Sequence, residues 1–233
     1  MIDIHTHIMD GIDDGIQTFD DACNVLKKLD QQGITGVFLT PHYAPQRGYQ
    51  PLLETVKDKY KKLKAFIESE GLSLVVYLGC EYDASDDLDL VIPRHLTHNQ
   101  TRYVLIDFMH YDGDANELIY TLKCLKYQVI VAHPERYDAS MKRLLELKSE
   151  GALFQLNASS LLHKERRQEY QLAKRLIKHR LIDFVASDIH RATQSMDSLK
   201  RVHYVIKKMT DGDYADTLLK NNPKKLITPN DYD

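Results

Sequence analysis

Side chains that bind metal ions follow almost every short apolar run in this 233-residue sequence. Two runs end in ligand pairs, the H-x-H motif of His5 and His7 and the D-x-H motif of Asp188 and His190. Residues i and i+2 of an extended segment point to the same face, so both members of each pair can reach one centre. Four other runs end in a single candidate ligand: His42, Glu81, Asp107 and His133. One such residue is ordinary at the start of a loop, but this repetition predicts a metal centre.

The candidate ligands are imidazoles and carboxylates without a thiolate, a set that favours manganese, iron or zinc. A catalytic zinc takes about three protein ligands, and the candidates here are more numerous. We therefore expect about two or three ions that share a bridging carboxylate.

The elements that must position these ligands alternate along the chain. Short runs rich in β-branched residues are nearly continuously apolar, which is typical of strands covered on both faces. The predicted strands are residues 2–5, 35–39, 74–78, 103–107, 128–132, 153–157 and 183–186. Longer patterns with helical periodicity lie between them. The predicted helices are about 18–32, 51–69, 114–126, 137–150, 165–179 and 195–209, with a short helix and tail over 212–227.

Seven strand–helix units in this length predict a single-domain α/β fold with a closed or nearly closed parallel barrel. Functional residues of parallel β/α folds lie at the carboxyl ends of the strands, where the candidate ligands fall. A doubly wound open sheet is the main alternative, although the sequence has neither glycine-rich nucleotide fingerprint. We expect one catalytic domain over 1–233, with a core over about 1–210 and a C-terminal helix and tail over 211–233.

Composition excludes several other classes of protein. The formal charge of −3 argues against a basic surface that coats nucleic acid. The sequence has no signal-peptide pattern at its start and no uncharged apolar stretch long enough to span a membrane. The sequence has three cysteines, Cys23, Cys80 and Cys124. An odd count without paired spacing is typical of reduced thiols. We expect a soluble cytoplasmic protein without nucleic-acid binding or membrane insertion.

All the candidate ligands except Asp107 belong to five motifs whose order resembles the polymerase-and-histidinol-phosphatase (PHP) superfamily. These are D-x-H-x-H with D-D-G at 3–15, T-P-H at 40–42, G-C-E at 79–81, H-P-E-R at 133–136 and S-D-x-H at 187–190. Together they are similar to the branch of manganese-dependent protein-tyrosine phosphatases found in bacterial capsular and exopolysaccharide loci. The resemblance implies a distorted, TIM-like (β/α)7 barrel with a three-metal site.

The resemblance also implies a role for each matching residue. The first metal would be held by His5, His7, Glu81 and Asp188. Glu81 would bridge to a second metal, held by Asp107 and His133. The third metal would be held by Asp14, His42 and His190. Arg136 matches the family's phosphate-contacting arginine in H-P-E-R.

Two positions depart from the family pattern. Asp107 stands where the family usually has glutamate, so the second metal would sit differently or bind more weakly, and His110 is a candidate extra ligand. The family often carries a second arginine several residues after S-D-x-H, where this chain has Ser195. We therefore consider Arg191 as its replacement.

The implied activity is hydrolysis of phosphotyrosine by metal-activated water. Metal ions lower the pKa of bound water, and a pair of ions can hold both oxygens of an in-line phosphoryl transfer. A cysteine mechanism would need arginine six positions after the nucleophile, and Leu29, Asp86 and Ile130 occupy those positions. The resemblance suggests the tail of a bacterial tyrosine autokinase as substrate. The sequence leaves open whether the protein is a monomer or an oligomer.

Three other functions remain open from the sequence. The first is a phosphatase of histidinol phosphate or another small molecule in the same superfamily. The second is a DNA 3′-exonuclease or proofreading relative, which the acidic charge balance disfavours. The third is a metal-stabilised regulatory or binding protein without turnover. A purely structural site would need fewer ligands, which argues against this third function.

Overall fold

A computed structural model describes residues 1–137 and 139–227 of the protein. Residues 228–233 of the predicted tail and Asp138 of the predicted helix over 137–150 lie outside the described residues. All seven predicted strands are present in the described residues, together with the short strands β3 and β5. The strands are β1 (Ile2–Asp3), β2 (Gly36–Leu39), β3 (His42–Tyr43), β4 (Val75–Leu78), β5 (Glu81–Asp83), β6 (Tyr103–Asp107), β7 (Gln128–Ala132), β8 (Leu153–Asn157) and β9 (Phe184–Ala186).

Helices connect successive strands, and each of the six long predicted helices is present. The long helices are α1 (Phe19–Gln31), α2 (Leu53–Ser69), α4 (Ala115–Cys124), α5 (Met141–Ser149), α7 (Arg167–Lys178) and α8 (Ser198–Met209). The short helices are α3 (Leu88–Val91), α6 (Ala158–Leu162), α9 (Gly212–Asp216) and α10 (Asn222–Lys224), with a π-helical turn over Thr217–Asn221. None of the helices in the part of the chain that the structure describes is long and apolar enough to cross a bilayer.

The first long helix shows why the sequence folds locally as predicted. The Thr18 side chain accepts the Asp21 N–H at 3.2 Å and so caps the start of α1. Acidic residues in the first turn of α1 interact favourably with the helix dipole. Gly33, with φ of +69°, follows the end of α1 in a left-handed conformation that glycine adopts easily.

The strands are parallel and form two sheets. One sheet has the order β1-β2-β4, and the other has the order β3-β5-β6-β7-β8-β9. Only two residues separate β2 from β3 and β4 from β5, so these two passes of the chain contribute to both sheets. An isolated parallel bridge joins Thr6, after β1, to Ile189, after β9. The predicted α/β fold with parallel sheets is confirmed. A single closed sheet is not recorded among the described residues, so the barrel stays a prediction.

The strands are covered on both faces, as their apolar runs predicted. In β6, Tyr103 and Leu105 pack in one apolar cluster, whereas Val104 and Ile106 pack in another. The larger cluster lies between strands and helices. The smaller one, which we call the inner cluster, contains Ile2, Ile4, Phe38, Tyr103, Leu105, Ile130, Ala132, Phe184, Ala186 and Leu226. Burial of both faces fixes the strands and therefore the positions of the residues that follow them.

Candidate active site

The residues predicted as metal ligands lie together at the carboxyl ends of the strands. We call this set the ligand cluster: His5, His7, Asp14, His42, Glu81, Asp107, His133, Asp188 and His190. Eight of its members form three overlapping groups whose ligand atoms lie within 4.8 Å of one another. The groups are His5, His7 and Glu81; Glu81, Asp107 and His133; and His7, Asp14, His42 and His190. Asp188 is the remaining member. Its Oδ1 lies 3.4 Å from His5 Nε2 and 3.3 Å from His190 Nδ1.

Glu81 lies at the centre of the ligand cluster. Its Oε2 is 3.2 Å from the Nε2 atoms of both His5 and His7, and 3.0 Å from His42 Nδ1. Its Oε1 is 3.0 Å from His133 Nε2. Each carboxylate oxygen therefore faces a different group of imidazoles, which is the geometry of a bridging ligand. Burial alone would raise the pKa of Glu81, but His5 and His42 hold it well below its usual value.

Neighbouring side chains fix the orientation of the first two histidines. His5 Nδ1 lies 2.9 Å from the side-chain amide oxygen Oε1 of Gln155, and His7 Nδ1 lies 2.8 Å from Asp13 Oδ2. Because both Nδ1 atoms face acceptors, the neutral tautomer of each ring would carry its proton on Nδ1 and present the Nε2 lone pair to the cluster. The two Nε2 atoms are only 3.0 Å apart. Both nitrogens can therefore face one cation, so the arrangement fits a metal ion.

The ligand cluster contains buried polar atoms that form no hydrogen bond among the described residues, even where another polar atom lies close. Glu81 Oε2, Asp188 Oδ1, His42 Nδ1 and His133 Nδ1 have no hydrogen-bond partner in the described structure. Such atoms cost about 1–3 kcal/mol each in a folded protein.

The pKa values of two histidines in the ligand cluster also reflect the carboxylates around them. Burial opposes protonation of His5 and His42, yet the surrounding carboxylates raise their pKa values to about 9 and about 11. The residues therefore stabilise positive charge at this position, as a metal site requires.

Asp14 and His190 form the outer side of the ligand cluster. Asp14 Oδ1 lies 3.3 Å from His42 Nε2 and 3.6 Å from His190 Nε2. Hydrogen bonding to His190 and His42 holds the pKa of Asp14 below its usual range. The Arg47 guanidinium lies 3.0 Å from the other Asp14 oxygen and so orients this partly exposed carboxylate.

The shorter side chain of Asp107 still reaches the ligand cluster. It shares a group with Glu81 and His133, and its Oδ1 accepts the Met109 N–H at 2.8 Å. His110 is exposed in the same cleft and belongs to none of the three groups.

Two ligand-cluster residues have unusual backbone conformations. His133 has φ of +31° and Asp188 has φ of +54°, although neither is glycine. Such conformations cost about 1–3 kcal/mol and persist where the surrounding structure enforces them, often at functional sites. His133 directly follows β7 and Asp188 lies two residues after the end of β9, so the strained turns aim their side chains into the cluster.

The ligand cluster opens into a cleft of about 900 Å³ that both predicted arginines line. Arg136 follows β7 in the same short turn as His133, and its Nη1 lies 3.4 Å from Asp188 Oδ2. Arg191 is exposed, and its guanidinium makes no ion pair within the described residues. The structure therefore places Arg136 against the ligand cluster and Arg191 at the rim of the cleft.

Sequence reasoning missed the residues that support the ligands. Asp13 accepts from His7, from the His42 N–H at 3.0 Å and from the Gly15 N–H at 2.9 Å. A Cβ atom at Gly15 would lie 2.2 Å from the His7 carbonyl oxygen. The glycine of the D-D-G motif therefore allows the backbone at residue 15 to lie close to His7.

The end of β8 contributes two more supporting side chains. Gln155 donates to Asn157 Oδ1 at 2.8 Å, and the Asn157 amide donates to Asp188 Oδ2 at 2.7 Å. These amides occupy positions i and i+2 at the end of a strand, the same spacing as the H-x-H motif. That spacing is the signal by which they could have been found.

The comparisons with known proteins agree with this geometry. A family model described as capsular polysaccharide synthesis, CpsB/CapC, matches residues 1–228. This chain belongs to the CpsB/CapC family. CapC of Staphylococcus aureus is 34% identical over 99% of the chain and 92% of that relative. The tyrosine-protein phosphatase YwqE of Bacillus subtilis is 31% identical over 89% of the chain and 84% of that relative.

A solved structure extends the likeness of this CpsB/CapC protein to three dimensions. It comes from work on YwqE of Bacillus subtilis and CpsB of Streptococcus pneumoniae, which are described as metal-dependent tyrosine phosphatases. The TM-score is 0.89 at 28% identity, with 97% of this chain and 94% of that chain covered. The predicted family and its class of enzyme, metal-dependent tyrosine phosphatases of capsule synthesis, are confirmed by these relatives.

Proposed function

We propose that this CpsB/CapC protein hydrolyses phosphotyrosine in protein substrates at a divalent-metal centre built by the ligand cluster. The observation that carries the proposal is the crowding of ligand atoms around Glu81 at the base of a cleft, beside Arg136. The named activity of the relatives supports the same conclusion.

We propose manganese as the metal, with iron or zinc as alternatives, since imidazole and carboxylate ligands suit all three. The first ion would be held by His5, His7, Glu81 and Asp188. The second would be held by Glu81, Asp107 and His133. The third would be held by Asp14, His42 and His190. The three overlapping groups support this assignment, and His7 lies close enough to serve the third group as well.

When bound, such ions supply Lewis acidity and a nucleophilic water near neutral pH. The protein's own residues position the reaction. Asp13 and Gln155 hold His7 and His5 in the tautomer that presents Nε2 to the cluster. The planar guanidinium of Arg136 binds two oxygens of the phosphoryl group, and we assign Arg191 the second phosphate contact at the rim.

The leaving group explains why the site needs little acid catalysis. Cleavage of the P–O bond to the phenolic oxygen releases tyrosinate, whose conjugate acid has a pKa of about 10. It therefore departs more easily than an alkoxide. The cysteines play no part in this scheme. Burial raises the pKa of the Cys80 thiol well above its usual value, which leaves it protonated.

The protein substrate, the cellular compartment and the closed barrel are also proposals. We propose that the substrate is the tail of a bacterial tyrosine autokinase that controls capsule or exopolysaccharide synthesis, and that the reaction takes place in the cytoplasm. The family's link to capsule synthesis and three unpaired cysteines support this setting. We also infer that the seven strand passes act as one distorted (β/α)7 barrel, because the Thr6–Ile189 bridge joins the first pass to the last.

The test is turnover by the purified protein with Mn²⁺ on a phosphotyrosyl peptide, histidinol phosphate and a single-stranded oligonucleotide. We expect turnover of the peptide. Turnover of only one of the other two substrates would replace the proposal with a small-molecule phosphatase or a nuclease. Stoichiometric metal binding without any turnover would indicate a regulatory binding protein. Cys124→Ser is the control and should keep full activity.

A further inference from the structure

The lysine and arginine positions that line the cleft, among the described residues, are all arginines. The chain contains 20 lysines and 11 arginines, yet the described residues that line the cleft include five arginines and no lysine. The five are Arg47, Arg136, Arg166, Arg191 and Arg201. The four acidic residues of the lining, in contrast, all belong to the ligand cluster. Arginine is the cation suited to planar, bidentate binding of phosphate and carboxylate, so the selection points to anion recognition.

Two of these arginines lie apart from the ligand cluster. Arg166 precedes α7, and Arg201 lies in the first turn of α8. Neither contacts a ligand-cluster residue within the described structure. Each has one long ion pair with a residue close by in sequence, Glu169 at 3.6 Å and Asp197 at 3.7 Å. Both arginine side chains are about half exposed, at 54% and 53%. Ion pairs of this length on half-exposed side chains are weak, so both guanidinium groups are available to an incoming anion.

A second depression of about 480 Å³ adjoins the cleft at Leu162 and Arg201, which line both spaces. The lining of the second depression combines apolar side chains, among them Leu161 and the exposed Tyr204, with Lys164 and Lys200. Its composition suits the chain of a substrate that also carries negative charge.

We infer that Arg166 and Arg201 form a second anion subsite, which binds an acidic group near the phosphotyrosine on the same peptide. This inference rests on the proposed function, because the phosphotyrosine itself would occupy the ligand cluster. The group bound is a glutamate or aspartate carboxylate or a second phosphoryl group, which share the chemistry that guanidinium recognises. The enzyme would thereby select phosphotyrosines in acidic or multiply phosphorylated segments.

The test uses the Mn²⁺-loaded full chain and three peptides of equal length with one phosphotyrosine at the centre. The first has flanking glutamates, the second has glutamines in their place, and the third has a second phosphotyrosine. A small probe, p-nitrophenyl phosphate, has no flanking groups. The variant is Arg166→Gln/Arg201→Gln. Its matched control is Arg167→Gln/Arg175→Gln, which removes the same charge from exposed positions on α7 that do not line the cleft.

We expect the wild type to process the glutamate peptide about tenfold better in kcat/KM than the glutamine peptide, as two surface ion pairs allow. The Arg166→Gln/Arg201→Gln variant should reduce this ratio to below about twofold, whereas the control should keep it. A preference for the glutamate peptide or for the peptide with a second phosphotyrosine supports the subsite. The larger of these two preferences identifies whether the subsite binds a carboxylate or a phosphoryl group. Equal rates in the wild type, or an unchanged ratio in the variant, would overturn the inference.

A failure of the proposed function looks different. In that case the wild type would process neither p-nitrophenyl phosphate nor any peptide. The subsite is then judged by peptide binding, measured by fluorescence anisotropy with Mn²⁺ present. Tighter binding of the glutamate peptide, lost in Arg166→Gln/Arg201→Gln, would still support the subsite. Equal binding of the glutamate and glutamine peptides would refute it.

Discussion

The inner cluster and the ligand cluster lie at successive levels of the same strands and differ in how their atoms are satisfied. Ile4 and Ala132 belong to the inner cluster, and the residues that directly follow them, His5 and His133, belong to the ligand cluster. The inner cluster is apolar and well buried, with no member more than 7% exposed. The ligand cluster is also largely buried but contains polar atoms that form no hydrogen bond among the described residues, such as Glu81 Oε2.

This difference separates stability from function along each strand. Burial of apolar surface in the inner cluster contributes to the free energy of folding. The ligand cluster costs free energy until cations satisfy it, because its charged and polar atoms are removed from water. Two residues with strained backbone conformations, His133 and Asp188, belong to the ligand cluster. Mutations in the two clusters should therefore have opposite signatures in activity and stability.

The largest expected effect is the loss of activity when the bridging ligand is changed. Glu81→Gln keeps the shape of the side chain but removes the negative charge that faces several imidazoles. We expect kcat/KM for a phosphotyrosyl peptide to fall by about a thousandfold, which corresponds to about 4 kcal/mol. The far-UV circular dichroism spectrum should be unchanged. Glu117→Gln, on an exposed face of α4, is the control, and equal activities of the two variants would remove Glu81 from the site.

The opposite signature is expected for the inner cluster. Ile130 is fully buried there, so Ile130→Ala leaves a cavity and should lower the free energy of unfolding by about 3–4 kcal/mol. Ile130→Val should cost only about 1 kcal/mol. Urea unfolding measures both values. The Mn²⁺ content and kcat of the folded protein should stay close to wild type. A large loss of metal in Ile130→Val would show that the two clusters are not separable.

A pH dependence of stability should arise from a histidine beside the inner cluster. His98 is fully buried, stacks on Phe38 and bonds through Nε2 to the Ile4 carbonyl oxygen at 3.0 Å. Burial lowers the pKa of His98 to about 4. Because the unfolded histidine takes up its proton near pH 6.5, stability is fully present above that pH and falls toward pH 4.

The stability lost in this window is on the order of 3 kcal/mol. Urea unfolding of the metal-free protein between pH 7 and pH 4 measures it, and His98→Leu should show a shallower slope. The same slope in wild type and His98→Leu would assign the acid sensitivity to other groups, such as those of the ligand cluster.

The smallest expected effect concerns the arginine beside the ligand cluster. Arg136→Lys keeps the charge but loses the planar pair of donors, so kcat/KM should fall by about tenfold to thirtyfold. Manganese content should not change, because Arg136 contributes no metal ligand. Steady-state kinetics and metal analysis of the same preparation check both statements. A loss of bound metal would instead make Arg136 a support for Asp188, its partner at 3.4 Å.

Much of the fold and of the ligand cluster could be predicted from the sequence, because functional residues of parallel β/α folds lie at the carboxyl ends of the strands. Apolar runs predicted the seven strand passes, and the residues that follow six of them form the ligand cluster. The division of the strands between two sheets could not be predicted, because it depends on breaks at Thr40–Pro41 and Gly79–Cys80 within two of the predicted passes. Pro41 has no N–H to donate, so it interrupts the ladder of hydrogen bonds.

Side chains that orient ligands are harder to find than the ligands themselves. Asp13 and Gln155 are ordinary polar residues in the sequence, and only their contacts with His7 and His5 show what they do. The reach of Asp107 likewise depends on the three-dimensional path of the chain. Its sequence departure from the family suggested a displaced metal, yet its ligand atom lies within the same 4.8 Å group as Glu81 and His133.

The most direct test of the central claim is a titration of metal-stripped protein with Mn²⁺, in which calorimetric binding and phosphotyrosyl-peptide turnover are followed on the same sample. We predict negligible turnover without metal and full turnover after about two or three equivalents. The melting temperature should rise in step, because cations bind only the folded ligand cluster. Full turnover in the presence of a chelator, or Mn²⁺ binding that survives Glu81→Gln unchanged, would contradict the claim that the ligand cluster is the catalytic metal centre.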